Sequence, residues 1–404
     1  MSGEPYDQAR LTDTGPYNQA RPANTAPGDE NADPAAAPAD PGALVARARA
    51  LAERPVPPMA GRREGRKPLP LAPPSGHRVG LVLAGGAAKG AYQVGAVQRL
   101  AEEGVELTAV AGTSIGALNA AVLASSPDLP TGATRLAEAW GWFTERFGEG
   151  PFGEADGQDE SLAAQFGNLA PRMVRILTRR GDLERLVRSA VDVPALRGGI
   201  PCRVAVYPVG KPVPIVLYRL RAAQTAAQLL RRRLGFRSRM VHLNALPERE
   251  VVDTVLGSAA LPFLFPPRSA GSSYYRDGFL GGDNTPIRAL ADVDHCDIVI
   301  VVHLAQGETV RADEHNGLTL LQIRPEKALV PAGPLGGVSG PLDFSPSRYR
   351  VLYRQGYQDA DALMDRVNAV LRSARGIRHS ARLMAERVQA AHEGPYRPPG
   401  EDGG

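Results

Sequence analysis

The sequence predicts an α/β fold with a mainly parallel central sheet flanked by helices. From Arg78 onward, apolar strand-like segments alternate with amphipathic helical segments, the order that builds parallel sheets. Residues 297–303 form a continuous apolar run, which is typical of a strand buried on both faces of such a sheet. Ligands of these folds bind beyond the carboxyl ends of the strands. Gly85, Ser114 and His303 are all predicted to lie at those ends.

The spacing of apolar residues predicts the elements in chain order. Strands are expected from residue 79 and at 107–111, 201–208, 214–218, 297–303 and 318–324. Helices are expected at 88–103, 115–125, 131–147, 183–191 and 222–239, from residue 286, and at 348–373 (interrupted by Gly356) and 377–391. Residues 148–159 are acidic and glycine-rich and predict a loop.

The pattern GTSIG at residues 112–116 joins a predicted strand directly to a predicted helix. A glycine lies two positions from Ser114 on either side, and a Cβ at Gly112 or Gly116 is expected to clash with the neighbouring strand or helix. This arrangement is typical of a nucleophile elbow, a strained turn that exposes a serine hydroxyl at the edge of the sheet. The sequence therefore makes Ser114 a candidate nucleophile.

A second glycine-rich turn lies upstream, between the strand from residue 79 and the next helix. Its residues are Gly85, Gly86, Ala87, Ala88, Lys89 and Gly90. The main-chain N–H groups of such a turn, together with the helix dipole, bind anions. A dinucleotide-binding turn would require an acidic residue at the tip of the following strand, where this chain has Ser114. The favoured anion is therefore a transient oxyanion.

A third segment contains Asp277-Gly278 in a glycine-dense loop after a short predicted strand. The three segments in this order resemble the patatin-like phospholipases of bacteria, over roughly residues 78–392. The resemblance implies a patatin-like fold and a catalytic dyad in which Asp277 takes the proton of Ser114. It also implies an oxyanion hole formed by the N–H groups of Gly86, Ala87 and Ala88.

Two residues depart from the pattern of that family. Ala87 replaces a glycine of the oxyanion turn, and the hole is expected to survive if φ of Ala87 is negative. Phe279 replaces the third residue of the Asp-Gly-Gly or Asp-Gly-Ala motif and is expected to shape the substrate pocket. Lys89 is a candidate for an electrostatic role, with a solvent-exposed position as the equal alternative. Asn284 is a candidate to brace the Asp277 loop through side-chain hydrogen bonds.

The identity of the general base stays open between two residues. A serine hydroxyl needs an adjacent base, and the resemblance implies Asp277 in direct contact. The commoner alternative is a Ser–Asp–His triad, for which only His303 lies at a strand end in the right order. A structural role is the default interpretation for a single histidine, and it is retained for His303.

Composition sets the boundaries of the domain. Residues 1–76 are rich in proline, alanine and glycine and predict a disordered tail, as do residues 393–404. The acyl hydrolase domain is expected at 77–392, with core motifs at 78–290 and an α/β extension at 291–392. Cys202 and Cys296 lie in apolar runs and are expected to be buried thiols, in keeping with a reducing compartment.

The remaining expectations concern partners. A net charge of +4 gives no case for nucleic acid, and no metal-ligand spacing or cofactor motif is present. With no signal peptide or transmembrane segment recognised, a cytoplasmic protein is expected, peripheral at the membrane if it meets lipid. Residues 61–67 and 231–239 are basic candidates for that contact, although a solvated surface is favoured. The expected substrate is a lipid acyl ester, and the alternative function is a catalytically weak scaffold that binds lipid or protein.

Overall fold

The computed structural model describes residues 76–148, 180–211, 236–262, 265–311, 315, 317–330 and 340–393. The strands are β1 (Val79–Leu83), β2 (Ala109–Thr113), β3 (Cys202–Val209), β4 (Arg239–His242), β5 (Arg268–Ala270), β6 (Ser273–Asp277), β7 (Ile298–Val302) and β8 (Thr319–Ile323). The helices are α1 (Gly90–Glu102), α2 (Ile115–Ala124), α3 (Leu129–Gly148), α4 (Arg180–Ala190), α5 (Val193–Gly198), α6 (Glu248–Ser258) and α7 (Pro346–Glu393).

All these strands join one sheet in the order β5-β6-β3-β2-β1-β7-β8, with β4 also paired to β3. The five strands β3, β2, β1, β7 and β8 run parallel, whereas β4, β5 and β6 are antiparallel to their neighbours. The predicted α/β fold with a mainly parallel sheet is confirmed. The chain proceeds from β1 to one side through β2 and β3, and later to the other side through β7 and β8. The carboxyl end of β1 is therefore a switch point, where sheets of this kind bind ligands.

Burial follows from the composition of the strands. β1 and β2 are buried along their whole length, and β7 is buried at four of its five positions. On one face of the sheet, Val82, Ala111 and Val299 pack in a cluster with Leu290 and Cys296. Both cysteines are buried and free, as predicted.

Two helix predictions need correction. Gly356 does not interrupt a helix, because α7 runs unbroken from Pro346 to Glu393. Gly356 instead allows close packing, since a Cβ there would overlap the main-chain carbonyl of Tyr92 in α1. The helix predicted at 222–239 is wrong at its end: residues 236–238 are not helical, and Arg239 begins β4 because the main chain pairs with β3. Its remainder lies outside the described residues.

Other predictions also fall outside the described residues, namely the tail before residue 76, the loop at 149–159, the strand at 214–218 and the tail after 393. The chain divides into two compact units, Met1–Ala360 and Asp361–Gly404. The first unit contains the whole sheet and all the candidate site residues. In the second unit, the described residues are helical up to Glu393. None of the described helices has the length and apolar content required to cross a bilayer.

Candidate active site

Ser114 stands at the tip of a strained turn between β2 and α2. Its φ of 57° and ψ of −122° lie in a region that residues with side chains rarely adopt. A Cβ on Gly112 would overlap the carbonyl of Gly116, and a Cβ on Gly116 would overlap the carbonyl of Leu83 in β1. The clash predicted for both positions is confirmed. The turn therefore has the geometry of a nucleophile elbow.

Asp277 is the last residue of β6 and is completely buried. Burial raises its pKa to about 6, although the Ser114 hydroxyl and the Phe279 N–H both counteract this rise by stabilising the charged carboxylate. The Phe279 N–H donates to Oδ1 at 3.0 Å. The fold thus brings together two residues that lie far apart in the sequence.

The contact between the two side chains is loose. Asp277 Oδ2 is buried and receives no well-directed hydrogen bond from the described residues, even though the Ser114 hydroxyl lies near enough to lower the carboxyl pKa. Catalytic hydrogen bonds are often poorly aligned without substrate and tighten when it binds.

The glycine-rich turn lies directly beside the elbow. A Cβ on Gly85 would be 3.3 Å from the Cβ of Ser114. The N–H of Gly85 donates to the Asn284 side chain at 3.1 Å, so it is already engaged. Within the described residues, the N–H groups of Gly86 and Ala87 have no acceptor. These two groups are therefore available to an incoming anion.

Ala87 does not have the negative φ on which the sequence-based expectation depended. Its φ is 52°, in the left-handed region that favours glycine. The substitution thus retains the N–H group but adds strain, which costs an L-residue about 1–2 kcal/mol. The same left-handed geometry explains why the family pattern has a glycine at this position.

Ala87→Gly is expected to raise the free energy of unfolding by about 0.5–1 kcal/mol, because the strain relieved exceeds the extra entropy that glycine loses on folding. Urea titration monitored by circular dichroism measures the change. Ala88→Gly is the matched control, since Ala88 lies in the same 3₁₀ turn without positive φ, and this variant should lose about 1 kcal/mol of unfolding free energy. Equal destabilisation of both variants would contradict strain at Ala87.

Lys89 does not extend into solvent. Its Nζ donates to the carbonyl of Leu304 at 2.7 Å, just beyond β7. Burial lowers its pKa, while the negative charge of Glu308 acts in the opposite direction. Lys89 thus ties the glycine-rich turn to the loop that follows β7.

His303 lies where the sequence predicts, immediately after β7, but its ring is directed elsewhere. The side chain is fully buried, with Nε2 3.0 Å from Gln322 Oε1 and Nδ1 3.8 Å from Glu308 Oε2. Neither nitrogen is paired with Ser114 or Asp277. The structural interpretation retained for His303 agrees with this geometry.

Two supporting residues differ from expectation. Asn284, proposed to brace the Asp277 loop, instead holds the glycine-rich turn through Gly85. Ser258 was not singled out by the sequence, yet its Oγ accepts from the Ser114 N–H at 2.9 Å and donates to the Ala205 carbonyl at 2.7 Å. Ser258 therefore links the elbow to β3, the strand that pairs with β6. Ser258 ends α6 and is the first residue of the apolar, proline-containing segment SAALPFLFPP at 258–267, which was the available signal.

An apolar cavity of about 60 Å³ opens beside Ser114. Its walls come from α2, α3, α4, α6 and the segment before α7. Its lining is apolar and includes Ile115, Leu118, Phe143, Val187, Phe265 and Phe344. Phe279, expected to shape this pocket, does not line it, and its side chain is 46% exposed. An apolar slot at a serine suits a hydrocarbon chain better than a polar substrate.

Within the described part of the chain, no group of three or more His, Cys, Asp or Glu side chains is placed to hold a metal ion. The residues gathered at the switch point are a strained serine, a buried carboxyl and unpaired main-chain donors. Such a set can perform nucleophilic acyl transfer.

Comparisons with known proteins identify a family and several relatives of this chain. A family model described as "Patatin-like phospholipase" matches residues 81–291, just over half of the 404 residues. The chain is 45% identical over 69 residues to "Patatin-like phospholipase domain-containing protein ZK370.4" of Caenorhabditis elegans, covering 17% of this chain and 5% of that protein. It is 48% identical over 54 residues to "Lysophospholipase nte1" of Aspergillus terreus, covering 13% and 4%.

The matches thus span about a twentieth of the length of these curated relatives. Both relatives are eukaryotic, so they give no support to the bacterial type expected from the sequence. Among solved structures, VipD from Legionella pneumophila is similar with a TM-score of 0.36 and 15% identity, covering 72% of this chain and 67% of that chain.

Proposed function

This chain belongs to the patatin-like phospholipase family, and from that premise we propose that it is a serine hydrolase of lipid acyl esters. Ser114 is the nucleophile and Asp277 the base. The observation that carries the proposal is the strained φ of Ser114 at the mouth of an apolar cavity, next to a fully buried carboxyl. Strain of this kind persists where function requires it.

Acylation begins with the ester carbonyl beside Ser114 and the acyl chain in the cavity. Oγ attacks the carbonyl carbon while its proton passes to the Asp277 carboxylate. The negative charge that develops on the carbonyl oxygen is stabilised by the N–H groups of Gly86 and Ala87. The intermediate then collapses, the bond to the alcohol breaks, and Asp277 returns the proton to the departing oxygen.

Deacylation repeats the same steps with water as the nucleophile. Asp277 takes a proton from the water, the hydroxide adds to the acyl-enzyme, and the proton returns to Ser114 as the fatty acid leaves. A pKa of about 6 suits both steps, because the carboxyl is ionised at neutral pH and is still acidic enough to donate once protonated.

Hydrolysis assays test the proposal. The purified protein is incubated with p-nitrophenyl butyrate, p-nitrophenyl palmitate and phosphatidylcholine vesicles, and fatty acid release is measured beside labelling by a fluorophosphonate probe. Release of fatty acid with labelling is the expected result. A folded protein that does neither would favour the alternative of a lipid-binding scaffold.

We also propose peripheral contact with anionic membranes close to the active site. Phe236 and Phe279 are each 46% exposed and lie on adjacent segments, which are joined by a hydrogen bond from Ser238 Oγ to the Gly278 carbonyl. Arg237, the next residue after Phe236, is also exposed. Exposed aromatic rings with neighbouring cations are typical of surfaces that bind the interface of anionic bilayers.

Phe279→Ser is expected to reduce the fraction of protein that sediments with phosphatidylglycerol vesicles, because the ring no longer enters the interface. Turnover of p-nitrophenyl butyrate should change little, since the side chain does not line the cavity. Val370→Ser, at a more exposed apolar position elsewhere, is the control. Equal sedimentation of both variants and the wild type would contradict this surface.

The remaining expectations are proposals as well. The hydrolase domain is proposed to span residues 77–392, with core motifs at 78–290 and the extension at 291–392. A cytoplasmic location is proposed because both thiols are buried and free, in keeping with a reducing compartment.

A further inference from the structure

The strained turn at Ala87 needs external support. A residue with a side chain holds a left-handed φ only where its surroundings fix the main chain. The proposed oxyanion donors, Gly86 and Ala87, lie within this turn. Any group that fixes the turn therefore also fixes the position of the donors.

Two contacts hold the turn, one on each side of the donors. On the amino-terminal side, the Gly85 N–H donates to Asn284, at 3.1 Å to Oδ1 and 3.4 Å to the main-chain oxygen. On the carboxyl-terminal side, Lys89 Nζ donates to the Leu304 carbonyl at 2.7 Å. The first contact ties the turn to the loop after β6, and the second ties it to the segment that follows β7.

The carboxylate of Glu308 interacts with a side chain of each contact, with Asn284 by a hydrogen bond and with Lys89 through its charge. Glu308 Oε1 accepts a long hydrogen bond from Asn284 Nδ2 at 3.4 Å. This bond fixes which way the amide faces, so that Asn284 Oδ1 is presented to Gly85. The negative charge of Glu308 also stabilises the partly buried Lys89 ammonium.

Glu308 lies beside a hydrogen-bonded group that is formed by His303, Gln322 and Val310. Its Oε2 is buried 3.8 Å from His303 Nδ1. Gln322 Oε1 accepts from the Val310 N–H at 2.9 Å, and Gln322 Nε2 donates to the Val310 carbonyl at 2.9 Å. With the amide oriented in this way, His303 Nε2 donates to Oε1, and Nδ1 lies beside the carboxylate without a hydrogen-bond partner among the described residues.

We propose that Glu308 is a positioning residue of the reaction, which fixes the oxyanion turn through its hydrogen bond with Asn284. The proposal rests on the function proposed above, in which the turn stabilises the oxyanion. Glu308 touches no reacting atom, and it acts by keeping Gly86 and Ala87 in the geometry that the transition state requires. His303 lies beside Glu308, and neither of its ring nitrogens contacts Ser114 or Asp277.

The first test compares Glu308→Ala and Glu308→Gln with the wild type on p-nitrophenyl butyrate. Active sites are titrated with a fluorophosphonate, so that unfolded protein does not count. Glu308→Ala is expected to lower kcat per titrated site by about 10- to 100-fold, with KM within about 2-fold because ester binding is untouched. Glu308→Gln keeps an acceptor for Asn284 and should lose less. Gln306→Ala, at an exposed position of the same loop, is the control.

The second test is a reciprocal exchange. Asn284→Asp alone places two carboxylates face to face and should lower kcat by about 100-fold. Combining Asn284→Asp with Glu308→Gln restores an amide–carboxylate pair of opposite direction. The double variant should regain at least about 10-fold of that loss, which a merely structural role of either residue would not produce.

A third readout does not depend on turnover. Hydrogen–deuterium exchange of the segment 84–90 should be faster in Glu308→Ala than in the wild type or in Gln306→Ala. An inactive wild type would overturn the proposed function, and the exchange rates would still decide whether Glu308 fixes the turn. Wild-type kcat and exchange in folded Glu308→Ala, or no recovery in the double variant, would overturn the role of Glu308.

Discussion

Ser114→Ala is expected to lower esterase turnover by at least about 10⁴-fold, the scale on which removal of a serine nucleophile acts in other hydrolases. The variant should fold, because the N–H that donates to Ser258 Oγ is retained and no atom is added. The measurement is kcat on p-nitrophenyl butyrate together with fluorophosphonate labelling. Labelling should disappear along with turnover.

Ser126→Ala is the matched control for this substitution. Ser126 lies just beyond the other end of α2, where its hydroxyl donates to the Val122 carbonyl. This variant should keep wild-type labelling. Persistent labelling or turnover of folded Ser114→Ala would remove Ser114 from the nucleophile role.

Asp277→Asn is expected to reduce kcat on a similar scale, about 10⁴-fold, because an amide cannot accept the serine proton. The side chain keeps its size, and its oxygen can still accept from the Phe279 N–H. The same assays measure the loss. Asp292→Asn, on an exposed helical turn, serves as the control and should be unaffected.

The same variant should be more stable than the wild type at alkaline pH. The folded pKa of Asp277, about 6, is above its usual 3.8, so the folded state favours the protonated form. This contribution to stability is complete below the unfolded pKa and is lost as the pH rises through about 6. Asparagine has no charge to bury, and Asp277→Asn should therefore gain about 3 kcal/mol at most near pH 8 and little near pH 4. Equal unfolding free energies of Asp277→Asn and the wild type near pH 8 would contradict a buried charge at Asp277.

The parts of the site that depend on neighbouring residues could be predicted from the sequence. The elbow is local, because Gly112 and Gly116 lie within two residues of Ser114 and the strand and helix on either side have clear patterns. The glycine-rich turn is local in the same way. The loop that contains Asp277 was recognised through resemblance, since its approach to Ser114 depends on the pairing of β6 with β3.

The parts that depend on tertiary contacts could not be predicted. The proposed role of Glu308 depends on its hydrogen bond with Asn284, 24 residues away, and its negative charge acts on Lys89, which follows β1 much earlier in the chain. The cavity is formed by helices from separate parts of the chain, so no single stretch reveals it. The left-handed φ of Ala87 could not be predicted, because alanine rarely adopts this conformation and no neighbouring residue indicates it. The predicted helix interruption at Gly356 was wrong, because the close packing of Gly356 against Tyr92 cannot be inferred from the sequence.

Burial also changes what a pH profile can decide. An aspartate base with its ordinary pKa would stay ionised well below pH 6.5, and the pH profile would then separate a dyad from a triad. With the pKa of Asp277 raised to about 6, the wild-type profile falls in the range where a neutral histidine base would also lose its activity. The distinction must come from a variant in which the histidine is absent.

The most direct measurement is the pH dependence of kcat/KM in His303→Ala, repeated in His303→Gln, which fills more of the buried space. The Ser114–Asp277 dyad predicts that kcat/KM still falls as the pH drops through about 6, because Asp277 must be ionised to accept the proton. It also predicts that the variants keep at least about a tenth of the wild-type value, far from the loss of about 10⁴-fold expected for a member of a triad. A loss of that size in folded protein, or the disappearance of the fall near pH 6, would contradict the dyad.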